Sequence, residues 1–186
     1  MPVRAILKTH EDSMTKTVQF LEDEFRGVRT GRASTGLVEN MKIDYYGSMT
    51  PLKQMASLSI AEATQILIKP FDPSSVKNIE KAIKTSDLGL TPMADGGTIR
   101  LPIPPLSEER RQKIAAQLKQ MAEQQKIAIR NIRRDANKQL DDEEKSKVIT
   151  EDDRDKGKKD IDDMTKKYSD QIDNILKDKI KEVMEE

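Results

Sequence analysis

Apolar residues recur at spacings of three and four along three long segments of this 186-residue chain, and at a spacing of two along shorter ones. The long segments are residues 3–29, Arg110–Leu140, and a stretch that follows Thr150 and ends near Val183. This spacing places the apolar side chains on one stripe of an α-helix. Since single amphipathic helices are marginal in water, we expect the three to pack as an antiparallel bundle.

The middle segment has neither glycine nor proline, so we predict one uninterrupted helix there. Its apolar stripe consists of Ile114, Leu118, Met121, Ala128, Ile132 and Ala136. We expect these side chains to face the other helices, and Ile132 to be buried. A neighbouring face of the same helix carries polar residues with helical spacing, namely Lys119, Lys126, Arg130, Arg133 and Asn137.

The first segment contains His10, the single histidine of the chain. We interpret it as a packed residue at the core edge, because no second histidine exists to share a metal ion. Gly31 is predicted to end this helix, since glycine is common just beyond helix C-termini. Before the third segment we expect a break between Lys147 and Thr150. The third stripe consists of Ile161, Met164, Tyr168, Ile172, Leu176, Ile180 and Val183.

Between the first two long segments the hydrophobic period changes to two. Met41, Ile43 and Tyr45 occupy alternate positions, which predicts a strand. Asp72 and Pro73 predict the start of a short helix, as an N-cap followed by proline at the first helical position. Other predicted strands are Ser57–Ile60, Gln65–Lys69 and Thr98–Ile103, and predicted turns are Gly47–Pro51 and Gly96–Gly97.

These elements predict an α+β fold, in which a long antiparallel three-helix bundle contains an inserted small β/α/β domain. The bundle comprises residues 1–30 and 106–186, and the inserted domain comprises residues 31–105. Because the chain crosses between the domains twice, we predict a two-strand hinge, where glycine permits many dihedrals and prolines stiffen their own segment. The hinge residues are Thr30, Gly31, Arg32, Pro104 and Pro105.

Composition narrows the class of protein. Hydrophobic and charged residues each make up 35% of the chain and aromatic residues 3%, which favours slender helices with narrow buried stripes. Cysteine is absent, which excludes disulfides and thiolate chemistry. Because the chain shows neither an apolar run of membrane-spanning length nor a signal-peptide region, we expect an intracellular, cytoplasmic protein.

Motifs for catalysis are also lacking. The sequence contains no GxxxxGK[ST], GxGxxG or HExxH pattern, so we expect no nucleotide loop, no metal, no other cofactor and no catalytic residues. The acidic runs Asp141–Glu144 and Asp152–Asp153 lack the spacing of a calcium-binding loop, and we interpret them as solvated helix ends. We therefore predict that the chain is not an enzyme.

The charge is distributed unevenly although the whole chain is neutral. Residues 107–140 hold nine basic and four acidic side chains, and residues 141–186 hold eleven and seventeen. Arg130, Arg133 and Arg134 form the densest basic cluster, and arginine suits phosphate and base edges through its planar fork. These arginines predict binding to a nucleic-acid backbone. An alternative of similar weight is a solvated bundle face whose arginines pair with acids of the third helix.

Several blocks, in order along essentially the whole chain, closely resemble the ribosome recycling factor family. They are residues 28–34 (VRTGRAS), 45–52 (YYGSMTPL), 80–90 (EKAIKTSDLGL), 99–111 (IRLPIPPLSEERR) and 130–137 (RNIRRDAN). Long blocks in the right order are far more specific than any one motif. The resemblance implies the same fold, with the inserted domain on a flexible hinge.

The resemblance also implies a function. Members act after termination and, with elongation factor G and its GTP hydrolysis, split the post-termination ribosome into subunits for reuse. Their bundle lies on large-subunit ribosomal RNA, so this RNA and the GTPase are the expected partners, with no membrane. The family's RNA-contacting arginines map onto residues of this chain, and Asn137 shares their helical face. The predicted RNA contacts are Arg29, Arg32, Arg130, Arg133, Arg134 and Asn137.

A second class of protein fits the apolar stripes alone. A helical adaptor or structural protein would use them for coiled-coil association, with exposed apolar seams and a dimer as the consequence. A translation factor would instead be a monomer whose seams are satisfied internally. An enzyme that used the acidic pairs would lack a base, a metal or a nucleophile.

Overall fold

The computed structural model describes residues 2–185, apart from the side chain of Pro2. Within this range, three long helices accompany a segment of short strands and helices, so the predicted α+β fold is confirmed. In chain order the elements are α1 (Pro2–Arg26), β1 (Lys42–Tyr45), β2 (Ser48–Pro51), α2 (Leu52–Met55), β3 (Ala56–Glu62), β4 (Gln65–Pro70), α3 (Val76–Thr85), β5 (Met93–Asp95), β6 (Thr98–Pro102), α4 (Glu108–Lys145) and α5 (Glu151–Met184).

The chain divides into two units. The first consists of Met1–Asp23 and Ala115–Lys181, and the second of Glu24–Ile114 and Glu182–Glu186. The second unit therefore includes the end of α1 and the first turns of α4 together with the short elements. The domain boundaries that we place at residues 30–31 and 105–106 stay a prediction.

In the first unit, α4 runs antiparallel to α1 and α5. Gly157, near the start of α5, lies against Leu140 near the end of α4 and Val3 near the start of α1. A Cβ atom at Gly157 would lie 3.1 Å from the Leu140 methyl groups and 3.2 Å from Val3 Cγ1. Glycine thus allows the three helices to approach closely here, and the predicted three-helix bundle is confirmed.

The bundle core draws on all three helices. Fully buried side chains include Met14, Leu21, Leu118, Ile129, Leu140 and Ile172. Along α4, Ala122 and Ile129 are buried although the predicted stripe omitted them. Ile132, which we expected to be buried, is only half-buried. At 100° per residue it is displaced by about 40–60° from the line through Ile129 and Ala136, so it lies at the edge of the seam.

The first helix ends earlier than predicted. It stops at Arg26, and the amides of Gly27 and Val28 donate to Glu24 O and Phe25 O, both at 3.2 Å. The prediction that Gly31 ends this helix is wrong. Apolar spacing continues to Val28, but glycine at position 27 is a poor helix former and ends the helix first.

The starts of the other long helices follow their capping residues. Ser107 Oγ accepts from the amide of Arg110 at 3.3 Å, just before α4. Before α5, Thr150 Oγ1 accepts from the amide of Asp153 at 3.2 Å, and Asp153 Oδ2 accepts from the amide of Thr150 at 3.4 Å. This reciprocal pair is a capping box. The predicted break between Lys147 and Thr150 is confirmed.

The second unit contains two antiparallel sheets. Strands β1 and β2 form a hairpin, and the other strands form a sheet in the order β3-β4-β6-β5. Ile68 of β4 is opposite Leu58 of β3 and Ile99 of β6. Ile68 and Ile99 are fully buried, and Leu58 is partly buried against the same core. Helix α3 contributes Ile79 and Ile83 to the same core.

Two strands were not predicted. The hairpin turn consists of Tyr46 and Gly47, with φ of 49° and 81°, and the segment after it is strand β2 instead of the predicted turn. Both turn residues have positive φ, as a tight two-residue hairpin requires. Strand β5 is exposed along its whole length, so it lacks the apolar alternation that identifies a strand. The predicted turn at Gly96–Gly97 is confirmed between β5 and β6.

Candidate nucleic-acid interface

The second half of α4 presents the basic cluster. Arg130, Arg133 and Arg134 are exposed, and Asn137 is half-buried beside them. We call these four residues the arginine face. They lie along a shallow, open groove on α4 whose other lining residues are Asn131, Lys138, Asp141, Asp142 and Lys145. Residues four apart on a helix are neighbours, which places Arg130, Arg134 and Lys138 in one row of cations.

Arg130 is held by an acid of its own helix. Its Nη2 lies 2.6 Å from Oε1 of Glu123, and both side chains are about half exposed, at 55% and 54%. Only one Nη atom makes this contact. The guanidinium therefore keeps further N–H groups for an anionic ligand.

Arg133 lies near an acid of the third helix. Its Nη1 is 3.8 Å from Oδ1 of Asp162 in α5, with exposures of 46% and 61%. This distance is an ion pair without a hydrogen bond. The contact corresponds to the alternative prediction, in which the arginines pair with acids of the third helix. An exposed pair of this kind contributes about 0–1 kcal/mol, so it does not prevent Arg133 from binding a stronger anion.

Arg134 differs from its neighbours. Among residues 2–185 it has no carboxylate within ion-pair distance, and its side chain is exposed. Asn137 Oδ1 is buried and has no hydrogen-bond donor within the same range. Within the described residues, the arginine face thus contains a cation without an ion pair, Arg134, and an oxygen atom without a hydrogen bond, Asn137 Oδ1.

Two acidic residues, Asp141 and Asp142, line the groove between Lys138 and Lys145. Lys158 Nζ of α5 lies 2.6 Å from Oδ1 of Asp141. Its hydrogen bond lowers the pKa of Asp141 below the usual value, against a smaller opposing effect of desolvation. Asp141 is therefore ionised at neutral pH, and the ammonium group of Lys158 offsets its charge.

Arg29 occupies a different environment. Its Nη1 donates to Leu88 O at 2.9 Å and its Nη2 donates to Pro104 O at 3.0 Å, while its Nε is buried without an acceptor. Burial, and then the charge of Arg110, lower the pKa of Arg29. Two of its donors are thus committed to backbone carbonyls inside the second unit.

Three of the remaining predicted residues line a cavity in the second unit. Thr30 is buried, with 2% exposure, and its Oγ1 accepts from the amide of Arg32 at 3.3 Å. Gly31, the exposed Arg32 and Pro105 line a cavity of about 400 Å³, and a Cβ atom at Gly31 would meet nothing within 4 Å. Pro104 is exposed and accepts from Arg29.

Sequence reasoning missed part of the surface. Lys138 follows Arg134 by one helical turn, a spacing that could have identified it. Glu123 and Asp162 could not be assigned as partners from the sequence, because acids are frequent along both helices. In the described residues no cluster of three ligating side chains is arranged to hold a metal ion. None of the helices there is long and apolar enough to cross a membrane.

Comparisons with known proteins agree over nearly the whole chain. The family model described as ribosome recycling factor matches residues 21–184. A ribosome-recycling factor of Pelobacter propionicus is 50% identical over 179 residues, covering 96% of this chain and 95% of that protein. One of Pseudothermotoga lettingae is 48% identical over 180 residues and covers 97% of each chain.

Solved structures show the same likeness. A solution structure of the ribosome recycling factor is 38% identical, with a TM-score of 0.76, and covers 99% of this chain and 98% of that one. A second, 34% identical with a TM-score of 0.69, covers 98% and 99%. It is described as models for the T. thermophilus ribosome recycling factor and the E. coli elongation factor G bound to the E. coli post-termination complex. Because the family model matches residues 21–184 and relatives are up to 50% identical in sequence, this chain belongs to the ribosome recycling factor family.

Proposed function

We propose that this chain acts after the termination of translation. It binds the ribosome and, with elongation factor G, splits the post-termination complex into subunits for reuse. The observation that carries the proposal is the family match over residues 21–184, together with a solved relative placed with elongation factor G on the post-termination complex. Ribosomes are in the cytoplasm of a bacterial cell, which makes this the proposed location.

The arginine face is the proposed contact with large-subunit ribosomal RNA. Its support is an exposed cluster of three arginines, whose only ion pairs with carboxylates among the described residues are exposed and therefore contribute little. Asn137 stays a predicted contact, and because its Oδ1 is buried, the side chain has to rotate before this oxygen accepts a hydrogen bond from RNA. Arg29 and Arg32 stay predicted contacts. For Arg29, only the Nη hydrogens that do not bond to carbonyls would reach a phosphate.

A mechanical role follows from the architecture. The chain has no nucleotide-binding motif, so the partner GTPase supplies the free energy and this factor is not an enzyme. A bundle with long, continuous helices is stiff enough to transmit force to RNA. The proposed hinge at Thr30, Gly31, Arg32, Pro104 and Pro105 lets the smaller domain be repositioned. The open space around Gly31 supports this role.

The adaptor alternative has less support. It requires apolar seams that remain exposed, whereas Leu118, Ile129 and Ile172 each have 0% exposure inside the bundle. A chain whose seams are filled internally has no need of a partner helix, so we propose a monomer. Sedimentation at micromolar concentration distinguishes the two, because the adaptor would form a dimer.

The decisive experiment measures splitting directly. Purified post-termination complexes are mixed with this protein, elongation factor G and GTP, and subunit dissociation is followed by light scattering. We expect dissociation that requires all three components, and loss of activity for Arg133→Ala combined with Arg134→Ala. The matched control is Lys77→Ala in α3, which removes an exposed cation elsewhere. Intact complexes in the presence of all components would refute the proposal.

A further inference from the structure

Two carboxylates, Glu123 and Asp162, pair with the arginine face, and their arrangement suggests a role in RNA binding. We infer that Asp162 and Glu123 occupy Arg133 and Arg130 in the free protein as internal substitutes for phosphate, and that RNA must displace them. This inference rests on the proposed RNA contact. Asp162 and Glu123 then weaken binding to any anion and so favour the RNA that can displace both of them.

The geometry of the Arg133 pair is that of a replaceable contact. At 3.8 Å, Nη1 of Arg133 and Oδ1 of Asp162 attract each other without a hydrogen bond. More than half of the Asp162 side chain is exposed, at 61%. A phosphate oxygen that reached hydrogen-bond distance would gain the charge-assisted bond that Asp162 does not make.

The Arg130 pair is tighter but makes a single contact. Oε1 of Glu123 lies 2.6 Å from Nη2, two helical turns toward the N-terminus of α4. A bidentate arginine–phosphate pair would engage two N–H groups instead of one. Glu123 therefore holds the guanidinium of Arg130 along the helix but bonds to only one of its nitrogen atoms.

Arg134 provides the contrast within the same cluster. It has no carboxylate partner among residues 2–185, so an approaching polyanion meets its full charge. The full charge of Arg130 and Arg133 becomes available only when Glu123 and Asp162 are displaced. A polyanion that reaches only Arg134 makes one contact. An RNA whose phosphates match all three positions gains further charge-assisted bonds that offset the displacement, whereas a poorly matched polyanion displaces the acids without making those bonds. Such a penalty against the wrong partner is a source of specificity.

A purely structural role for the acids predicts something else. If Asp162 only linked α5 to α4, its removal would lower stability and leave RNA affinity unchanged. The competition that we infer predicts higher affinity after the same change. The two roles are therefore separated by the sign of the affinity change, measured alongside thermal stability.

The test uses Asp162→Asn and Glu123→Gln in the full chain. Affinity is measured for a short single-stranded RNA oligonucleotide by filter binding and for bacterial ribosomes by pelleting, over a series of KCl concentrations. We expect each variant to bind the oligonucleotide about twofold to fivefold more tightly at low salt, the range that an exposed ion pair represents. The gain should shrink at high salt as the charges are screened, and the ribosome should gain less than the oligonucleotide.

The matched control is Asp163→Asn, which removes the same charge from the adjacent exposed position of α5. An equal gain in this control would show a general charge effect and overturn the inference. In a double-mutant cycle, the gain of Asp162→Asn should disappear in an Arg133→Ala background. Unchanged affinity of Asp162→Asn, with weakened binding by Arg133→Ala, refutes the inference alone. If Arg133→Ala also binds normally, the proposed RNA contact fails as well.

Discussion

Nη2 of Arg29 donates to the carbonyl oxygen of Pro104 at 3.0 Å, and so joins two stretches of chain that lie 75 residues apart in sequence. A second donor of the same guanidinium binds Leu88 O at 2.9 Å. One side chain thus links the segment just before Thr30 to Pro104, a residue of the proposed hinge. The planar fork of arginine is what allows it to reach two carbonyls at once.

Replacement of Arg29 should therefore affect stability. We expect Arg29→Ala to lower the free energy of unfolding by about 1–3 kcal/mol, because it removes charged hydrogen bonds to two carbonyls. Arg29→Lys should recover part of this loss, since an ammonium group reaches at most one of them. Urea denaturation measures the effect. Arg100→Ala, an exposed arginine near Asp95, serves as the control and should cost about 0–1 kcal/mol. Equal midpoints for Arg29→Ala and the wild type would contradict this role.

The core positions of α4 give a second prediction. Ile129 is fully buried, so Ile129→Ala should cost about 2–5 kcal/mol by loss of contacts and creation of a cavity. Ile132→Ala removes the same atoms from a half-buried position and should cost less. Chemical denaturation of the two variants compares them directly. A larger loss at Ile132 would show that the seam follows the line expected from sequence.

The arginine face gives a third prediction. Arg133→Ala and Arg134→Ala should each weaken ribosome binding by about 1–3 kcal/mol, roughly tenfold to a hundredfold. If the contact is to phosphate, the slope of log affinity against log salt should fall by about one. Ribosome pelleting across salt concentrations measures both. Thermal stability should hardly change, because both side chains are exposed, and a folded variant with normal affinity would exclude that residue from the interface.

A pH dependence is expected at Asp72. Its oxygens accept from the Ser74 hydroxyl and amide and from the Tyr45 hydroxyl, and these bonds lower the pKa of Asp72. Because the folded pKa lies below the unfolded one, the folded state binds fewer protons and the carboxylate stabilises the fold above the unfolded pKa. This stabilisation is lost as the pH falls from about 4 through the folded pKa.

The variant Asp72→Asn isolates this effect, because asparagine still caps a helix but carries no charge. We expect the wild type to be the more stable at pH 7, and the difference to shrink as the pH falls below about 4. Thermal denaturation of both proteins over a pH series provides the measurement. A difference that is constant from neutral to acidic pH would show that the charge of Asp72 is irrelevant.

The elements with strong hydrophobic periodicity can be predicted from the sequence. The three helices follow from apolar spacing in residues whose side chains must be buried together, and the break before α5 follows from local capping chemistry at Thr150 and Asp153. These are interactions between near neighbours, so the local sequence contains them. The exposed strand β5 lacks such a signal, because nothing in its side chains distinguishes it from a loop.

Packing between the helices sets which of their positions are fully buried and which charged side chains lie close together. Ile129 is buried and Ile132 half-buried because two partner helices, not one, define the seam of α4. The proximity of Arg133 to Asp162 depends on the alignment of α4 against α5, which no local spacing specifies. The same holds for the carbonyl partners of Arg29, 59 and 75 residues away. Periodicity identifies a face, but packing between distant segments sets its contacts.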